Sequence, residues 1–192
     1  LWVFDPQTME WTELSSCPCA GRAHPALIAN KGKVYMGLGN DPNGNMNDWW
    51  VYDIATDQWT QGANFPDDRR HHPFQFGVGD YAYVGFGHGP SIYDEWYRYD
   101  VETDSWAQMS NIPAEGRVAG TQFAYNGKGY VLSGDGDDHG RMPTGEFWEY
   151  SPEDDQWTQL PPHPGFSRWA PSSFVLDHTV YFMNGIIRDP YY

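Results

Sequence analysis

A landmark pattern repeated four times, a ring-rich composition and evenly spaced turn residues together predict an all-β fold. The expected architecture is a set of four-stranded antiparallel meanders stacked around an axis. Each copy has an aromatic residue, then an Asp-position residue, then Trp, Arg, Tyr and Gly at constant spacing. The Asp-position residues are Asp5, Asp53, Asp100 and, as a departure, Ser151. Trp11, Trp59, Trp106 and Trp157 follow six residues later. Arg22, Arg70, Arg117 and Arg168 come eleven after the Trp, and Tyr35, Tyr83, Tyr130 and Tyr181 thirteen after the Arg. Gly39, Gly87, Gly134 and Gly185 lie four further on. A period of about 48 residues that spans the whole chain dictates the fold before any local signal does.

The second copy shows how the strands follow. Residues 73–78 alternate bulky and small side chains, Gly79-Asp80 makes a turn, and residues 81–87 form a second strand. Residues 95–100 form a third, Val101 to Asp104 a turn, and residues 105–109 a fourth. In the other copies the first hairpin turns at Asn30-Lys31-Gly32-Lys33, Asn126-Gly127-Lys128 and Asp177-His178, where positive dihedrals are needed. Pro18, Pro66, Pro113 and Pro164 recur seven residues after each Trp and end the fourth strand, because proline cannot extend a ladder. Ten Trp and thirteen Tyr supply the apolar bulk that flat, half-buried strands pack. A lone meander cannot hide both faces, and stacking sheets around an axis hides them.

On these residues the chain resembles the kelch repeat. The carriers are Trp50-Val51-Tyr52-Asp53, Thr56, Trp59, Pro66, Arg70 and Val84-Gly85-Phe86-Gly87, with their counterparts in the other copies. Kelch repeats usually carry a Gly-Gly pair after the second strand. Here the pairs are Leu38-Gly39, Phe86-Gly87, Ser133-Gly134 and Asn184-Gly185. That departure marks a divergent member, closer in style to secreted bacterial kelch-like proteins than to intracellular adaptors. The resemblance implies a kelch-type β-propeller with four four-stranded antiparallel blades. The expected repeats are residues 17–64, 65–111, 112–162, and 163–192 joined with 1–16, so that the two termini share one blade. The other expectation is a four-repeat section of a six- or seven-bladed ring. A start at Leu1-Trp2 suits a processed product or an excised piece.

The formal net charge is −15, with three Lys. Such a surface disfavours nucleic acid and anionic membranes, and suits cations, basic partners and solubility. No run of 18 apolar residues is present. A mutual bond between Cys17 and Cys19, one residue apart, is expected to be strained. The favoured expectation is two small loop residues; pairing elsewhere and half of a soft-metal site are the others.

Four Arg residues at one equivalent point, just before the first strand, are the candidate ligand-binding set. By the kelch resemblance, Arg22, Arg70, Arg117 and Arg168 ring the funnel and take carboxylates from a partner. The structural alternative has each Arg bonding carbonyls or Asp of the neighbouring blade. His72 joins the set, with His71 beside it and His24 at the equivalent position, either as metal ligands or packed against tryptophans. Asp135, Asp137, Gly140 and Glu146 follow the spacing of a calcium loop, with His139 at a position where calcium prefers oxygen. The alternatives there are bound calcium and a solvated acidic loop.

No catalytic residue is assigned. The functional expectation is a non-enzymatic binding module for a protein or glycan partner, in an extracellular or cell-surface setting, with self-association or a larger assembly. Trp49, Tyr93, Trp169, Tyr191 and Tyr192 are the aromatics offered to that partner. The alternative is a sugar-acting propeller enzyme of epimerase or mutarotase type. It would use funnel Arg with Glu115, or with Asp67 and Asp68. A His and a carboxylate within hydrogen-bond reach would favour the enzyme.

Overall fold

The computed structural model describes residues 1–188; Tyr191 and Tyr192 lie outside the described residues. Described residues contain strands and no helix. Strands β1 (Trp2–Asp5) and β2 (Glu10–Glu13) form a hairpin. The first complete blade contains β3 (Ala26–Asn30) and β4 (Lys33–Gly37). A small ladder of β5 (Asn40–Asp41) and β6 (Gly44–Asn45) rises from it, and β7 (Trp49–Asp53) and β8 (Gln58–Gly62) finish the sheet. The second blade runs β9 (Phe74–Val78), β10 (Tyr81–Gly85), β11 (Trp96–Asp100) and β12 (Ser105–Met109). The third runs β13 (Thr121–Tyr125), β14 (Lys128–Leu132), β15 (Gly145–Ser151) and β16 (Gln156–His163). A last hairpin pairs β17 (Trp169–Leu176) with β18 (Thr179–Ile186).

All the ladders are antiparallel, between neighbours in sequence except β4–β7, which is bridged by the β5–β6 ladder, and the register follows from the turns. Lys31 and Gly32 hold φ of 48° and 73°, so Asn30 faces Lys33 across a two-residue turn. Innermost strands succeed one another around the axis, β3 against β9, β9 against β13 and β13 against β17. The strand inventory is that of four blades. One respect differs from expectation: β1–β2 and β17–β18 stand as separate two-stranded sheets rather than as halves of one.

Two apolar cores fill the spaces between complete blades. The first gathers Ile28, Tyr35, Leu38, Trp49, Phe65, Val84 and Tyr99. The second gathers Phe74, Phe76, Tyr83, Phe86, Trp96, Val131, Trp148 and Tyr150. Where a Gly-Gly pair was expected, Leu38, Phe86 and Ser133 take the left-handed conformation themselves, with φ of 57°, 57° and 64°. Their strain is offset by burial, since all three are fully enclosed and Phe86 packs on Trp96 at 5.0 Å.

A lock repeats between blades and explains the Trp landmark. Trp59, Trp106 and Trp157 donate their indole N–H to the carbonyls of Ser15, Ala63 and Ser110 in the preceding repeat. The backbone N–H of the same three residues donates to Asp57, Asp104 and Asp155. Each of these carboxylates also accepts from a strand tyrosine, Tyr52, Tyr99 or Tyr150, at 2.7 Å. Met9 occupies the equivalent turn position in the first copy, so β1–β2 lacks this lock.

Candidate functional site at the axis

Three residues per repeat build the axial face, and all three are placed by the Arg and Gly landmarks. The residue after each Arg pairs with the residue after each Gly: Ala23 with Asn40, His71 with His88 and Val118 with Asp135. The residue two beyond the Arg takes a positive φ and links the blades through its backbone. His72 N–H donates to His24 C=O, Ala119 N–H to His72 C=O and Ala170 N–H to Ala119 C=O. A cavity of about 240 Å³ is lined by these four residues with Pro25, Pro73, Gln75, Gln122 and Pro171.

The four Arg landmarks do something else. Arg22 forks onto Asp48 at 2.6 and 2.7 Å and donates to Leu38 C=O. Arg70, fully buried, lies 3.0 Å from Asp67 and 3.7 Å from Glu95, donates to Phe86 C=O and covers the Tyr93 ring at 3.8 Å. Arg117, also fully buried, donates to Glu146 at 3.0 Å and to Glu115 C=O. Arg168 donates to Asn184 C=O. Each guanidinium therefore binds the carbonyls of its own repeat, and the three in complete blades bind carboxylates of their own blade as well. Pairing of this kind is the structural alternative for the Arg set, within each blade rather than to a neighbour: a buried guanidinium must be paired, and Asp48, Glu95 and Glu146, all placed at the start of the third strand, supply the partner. Backbone carbonyls of Arg70, Arg117 and Arg168 accept from Gly39, Gly87 and Gly134 of the preceding blade, which fixes the Gly landmark.

The loop with calcium-like spacing is held by contacts of the same kind. Glu146 serves Arg117 and the Trp148 indole, Asp135 lies 3.1 Å from Arg188, and Asp137 is engaged through its backbone with Glu115. Among the described residues no three His, Cys, Asp or Glu side chains are gathered for a metal ion. Cys17 and Cys19 are bonded to each other, with Cα atoms 5.2 Å apart, which corrects the expectation of two separate residues. Pro18 turns the chain enough to bring them within disulfide reach. Trp49 and Tyr93 are buried in the blades and offer no surface to a partner.

Histidines gather at the axis from three blades. His24 stacks on His72 with ring centroids 3.7 Å apart. His71 lies 5.0 Å from His72 and 5.1 Å from His88, and His88 meets His139 edge-on at 4.4 Å. Trp169 closes the group, 5.0 Å from His72 and 6.3 Å from His139. Ring nitrogens of His24 and His71 are bonded to the amide oxygens of Asn40 and Asn45. Burial first, and the neighbouring imidazoles second, hold His71, His72 and His88 below the usual histidine value, His72 at about 3. His139 is lowered by burial and by Arg188. These rings are neutral at physiological pH. A polar cleft of about 580 Å³ adjoins them through Asn45 and is lined by Asn43, Asn47, Asp67, Asp68, Arg69 and Pro90. Of this group, sequence reasoning singled out His24, His71, His72 and Trp169. It missed the axial placement of Asn40, His88, Asp135 and His139, although the first three each follow a Gly landmark directly.

Comparison with known proteins places this geometry. No curated protein sequence matches the chain. Among solved structures it is similar to one described as "Structure of YjhT", with a TM-score of 0.77 at 20% identity. That match covers 90% of this chain and 60% of the other, so the chain spans about three fifths of its neighbour's length. A family model described as the KLHDC2/KLHL20/DRC7 Kelch-repeats domain matches residues 1–119. With more than half of its length matched and four copies of the landmark pattern, the chain belongs to the kelch-repeat family.

Proposed function

We propose that the chain is a non-enzymatic binding module that seats a protein partner on the axial face. Kelch propellers suit protein interaction, and one observation carries the reading for this chain. Its repeats agree in the scaffold and diverge at the axis. Successive repeats place His24, His72, Ala119 and Ala170 at one level, and Ala23, His71, Val118 and Trp169 at the next. Rigid half-buried rings in a concave, partly apolar setting suit a protein anchor. The guanidinium groups of complete blades are spent on their own carboxylates, which leaves recognition to the axial residues. His24 and His71 bond amides rather than carboxylates, which favours binding over sugar chemistry.

A glycan is the second reading, supported by the amide- and carboxylate-lined cleft beside Asn45. The bond between Cys17 and Cys19 supports an oxidising, extracellular or cell-surface setting. Self-association is part of the same proposal. Trp2, Trp11, Phe174 and Tyr181 sit on the two half-blades and are at least two fifths exposed, whereas Tyr52, Tyr83 and Tyr99 at related landmark positions of complete blades are buried. A light-scattering mass equal to one chain at high concentration would remove that part.

Peptide display on the full chain tests the main reading, with a glycan array as the second arm. Selected peptides are expected to lose binding in Trp169→Ala and His139→Ala and to keep it in Lys31→Ala. Peptides indifferent to both axial substitutions would overturn it.

A further inference from the structure

Asp135 is the one axial position where a repeat carries a charge in place of the Asn40 and His88 of its siblings. Its side chain is fully buried. Backbone bonds to Val118 in both directions, at 3.0 and 2.9 Å, hold it rigidly at the mouth. Arg188 Nη1 lies 3.1 Å from Oδ2, yet neither carboxylate oxygen receives an aligned hydrogen bond from the described residues. Burial pushes the carboxyl up to about 6, with Arg188 pulling it down and Asp138 adding to the rise. The Arg188 guanidinium also lies 4.5 Å from the centroid of the Trp169 ring.

A buried carboxylate beside an indole ring is the chemistry that receives a cation, as Arg188 shows. A guanidinium fits better than an ammonium. It is flat enough to stack on Trp169, and its forked donors can reach both oxygens of Asp135. The scaffold does not explain the carboxylate, because Asn40 and His88 keep the same backbone bridge without a charge. The overall charge of −15 steers cationic partners toward the chain.

We propose that Asp135 and Trp169 form a receptor for a cationic, preferably arginine, side chain of the partner, and that Arg188 is a resident stand-in which the partner displaces. This rests on the axial face being the partner site and names the chemistry of what enters it. The exchange replaces one guanidinium with another, so the carboxylate is never left bare. Occupancy by Arg188 lowers the apparent affinity of any competitor by the fraction of time the site is filled.

Calorimetry on the full chain with acetyl-Gly-Arg-Gly-amide, and with its citrulline counterpart, tests this. Arg188→Ala is expected to bind the arginine peptide about tenfold tighter than the wild type, with no gain for citrulline. Adding Asp135→Asn removes the gain. Should that variant not fold, Trp169→Leu in the Arg188→Ala background is expected to weaken binding several-fold while the thermal midpoint holds. No gain in Arg188→Ala, or an equal gain for citrulline, overturns the proposal. Selected peptides that bind through Trp169 but carry no basic residue would sink this inference and leave the binding reading intact. An arginine gain in Arg188→Ala with selected peptides indifferent to Trp169 would do the reverse.

Discussion

Arg70 is sealed within its blade, whereas the next residue, His71, sets its ring against His72 and His88 at the axis. Arg117 and Asp135 differ in the same way. The first meets a carboxylate of its own blade with a hydrogen bond, and the second meets a guanidinium from the far end of the chain without one. Repetition is the mark of the first layer and variation the mark of the second. A residue repeated in every blade answers a need that every blade shares, such as neutralising a buried charge. Where the copies differ, that common need is absent, and the side chains are available for recognition.

Breaking the repeated layer is expected to have the largest effect. Arg117→Ala leaves Glu146 without its ion-pair partner and should cost about 3–5 kcal/mol in denaturant unfolding. A loss below about 1 kcal/mol would show that the Arg layer is not scaffold. Trp106→Phe removes the indole bond to Ala63 C=O while keeping most of the ring, and is expected to cost about 1 kcal/mol.

Acid sharpens the comparison, because the axial layer titrates where the scaffold does not. His71, His72, His88 and His139 have folded values below the unfolded histidine value. Their contribution is complete above about pH 6.5 and is lost as pH falls toward the folded values. Asp135 acts in the opposite sense: its raised value favours folding below the ordinary carboxyl range, and that contribution is lost as pH rises through about 6. Four imidazoles outweigh one carboxyl, so the thermal midpoint should fall between pH 7.5 and pH 5. His72→Gln should flatten that fall; an unchanged slope would remove His72 from the account. The smallest effect is expected for Arg168→Ala, within about 0.5 kcal/mol, since this Arg is partly exposed and its guanidinium makes a long contact to Asn184 C=O.

Legibility in the sequence followed the range of the forces involved. Turn residues such as Lys31-Gly32 and Asn126-Gly127 act over a few bonds, and their turns stand where the sequence placed them. The Trp landmark was legible as packing, but its bond to the preceding repeat was not, because donor and acceptor are more than 40 residues apart. The pairing of the Arg landmarks was legible only as one of two alternatives, for a related reason. Asp48 and Glu146 read as loop residues and Glu95 as the first residue of a strand, and only the folded blade brings them against a guanidinium 25 to 29 residues earlier in the chain. In the loop with calcium-like spacing, Glu146 is bonded by Arg117 and Asp135 lies beside Arg188, pairings that spacing does not reveal.

The sequence by itself determined the blade: strand number, antiparallel order, the turns and the kelch kinship. Those follow from alternation, dihedral preference and a period long enough to count. Tertiary structure alone decided which polar residues are used internally and which face the axis. Burial and charge pairing depend on what the distant chain delivers to the same point, and no local pattern encodes the meeting of Asp135, Trp169 and Arg188.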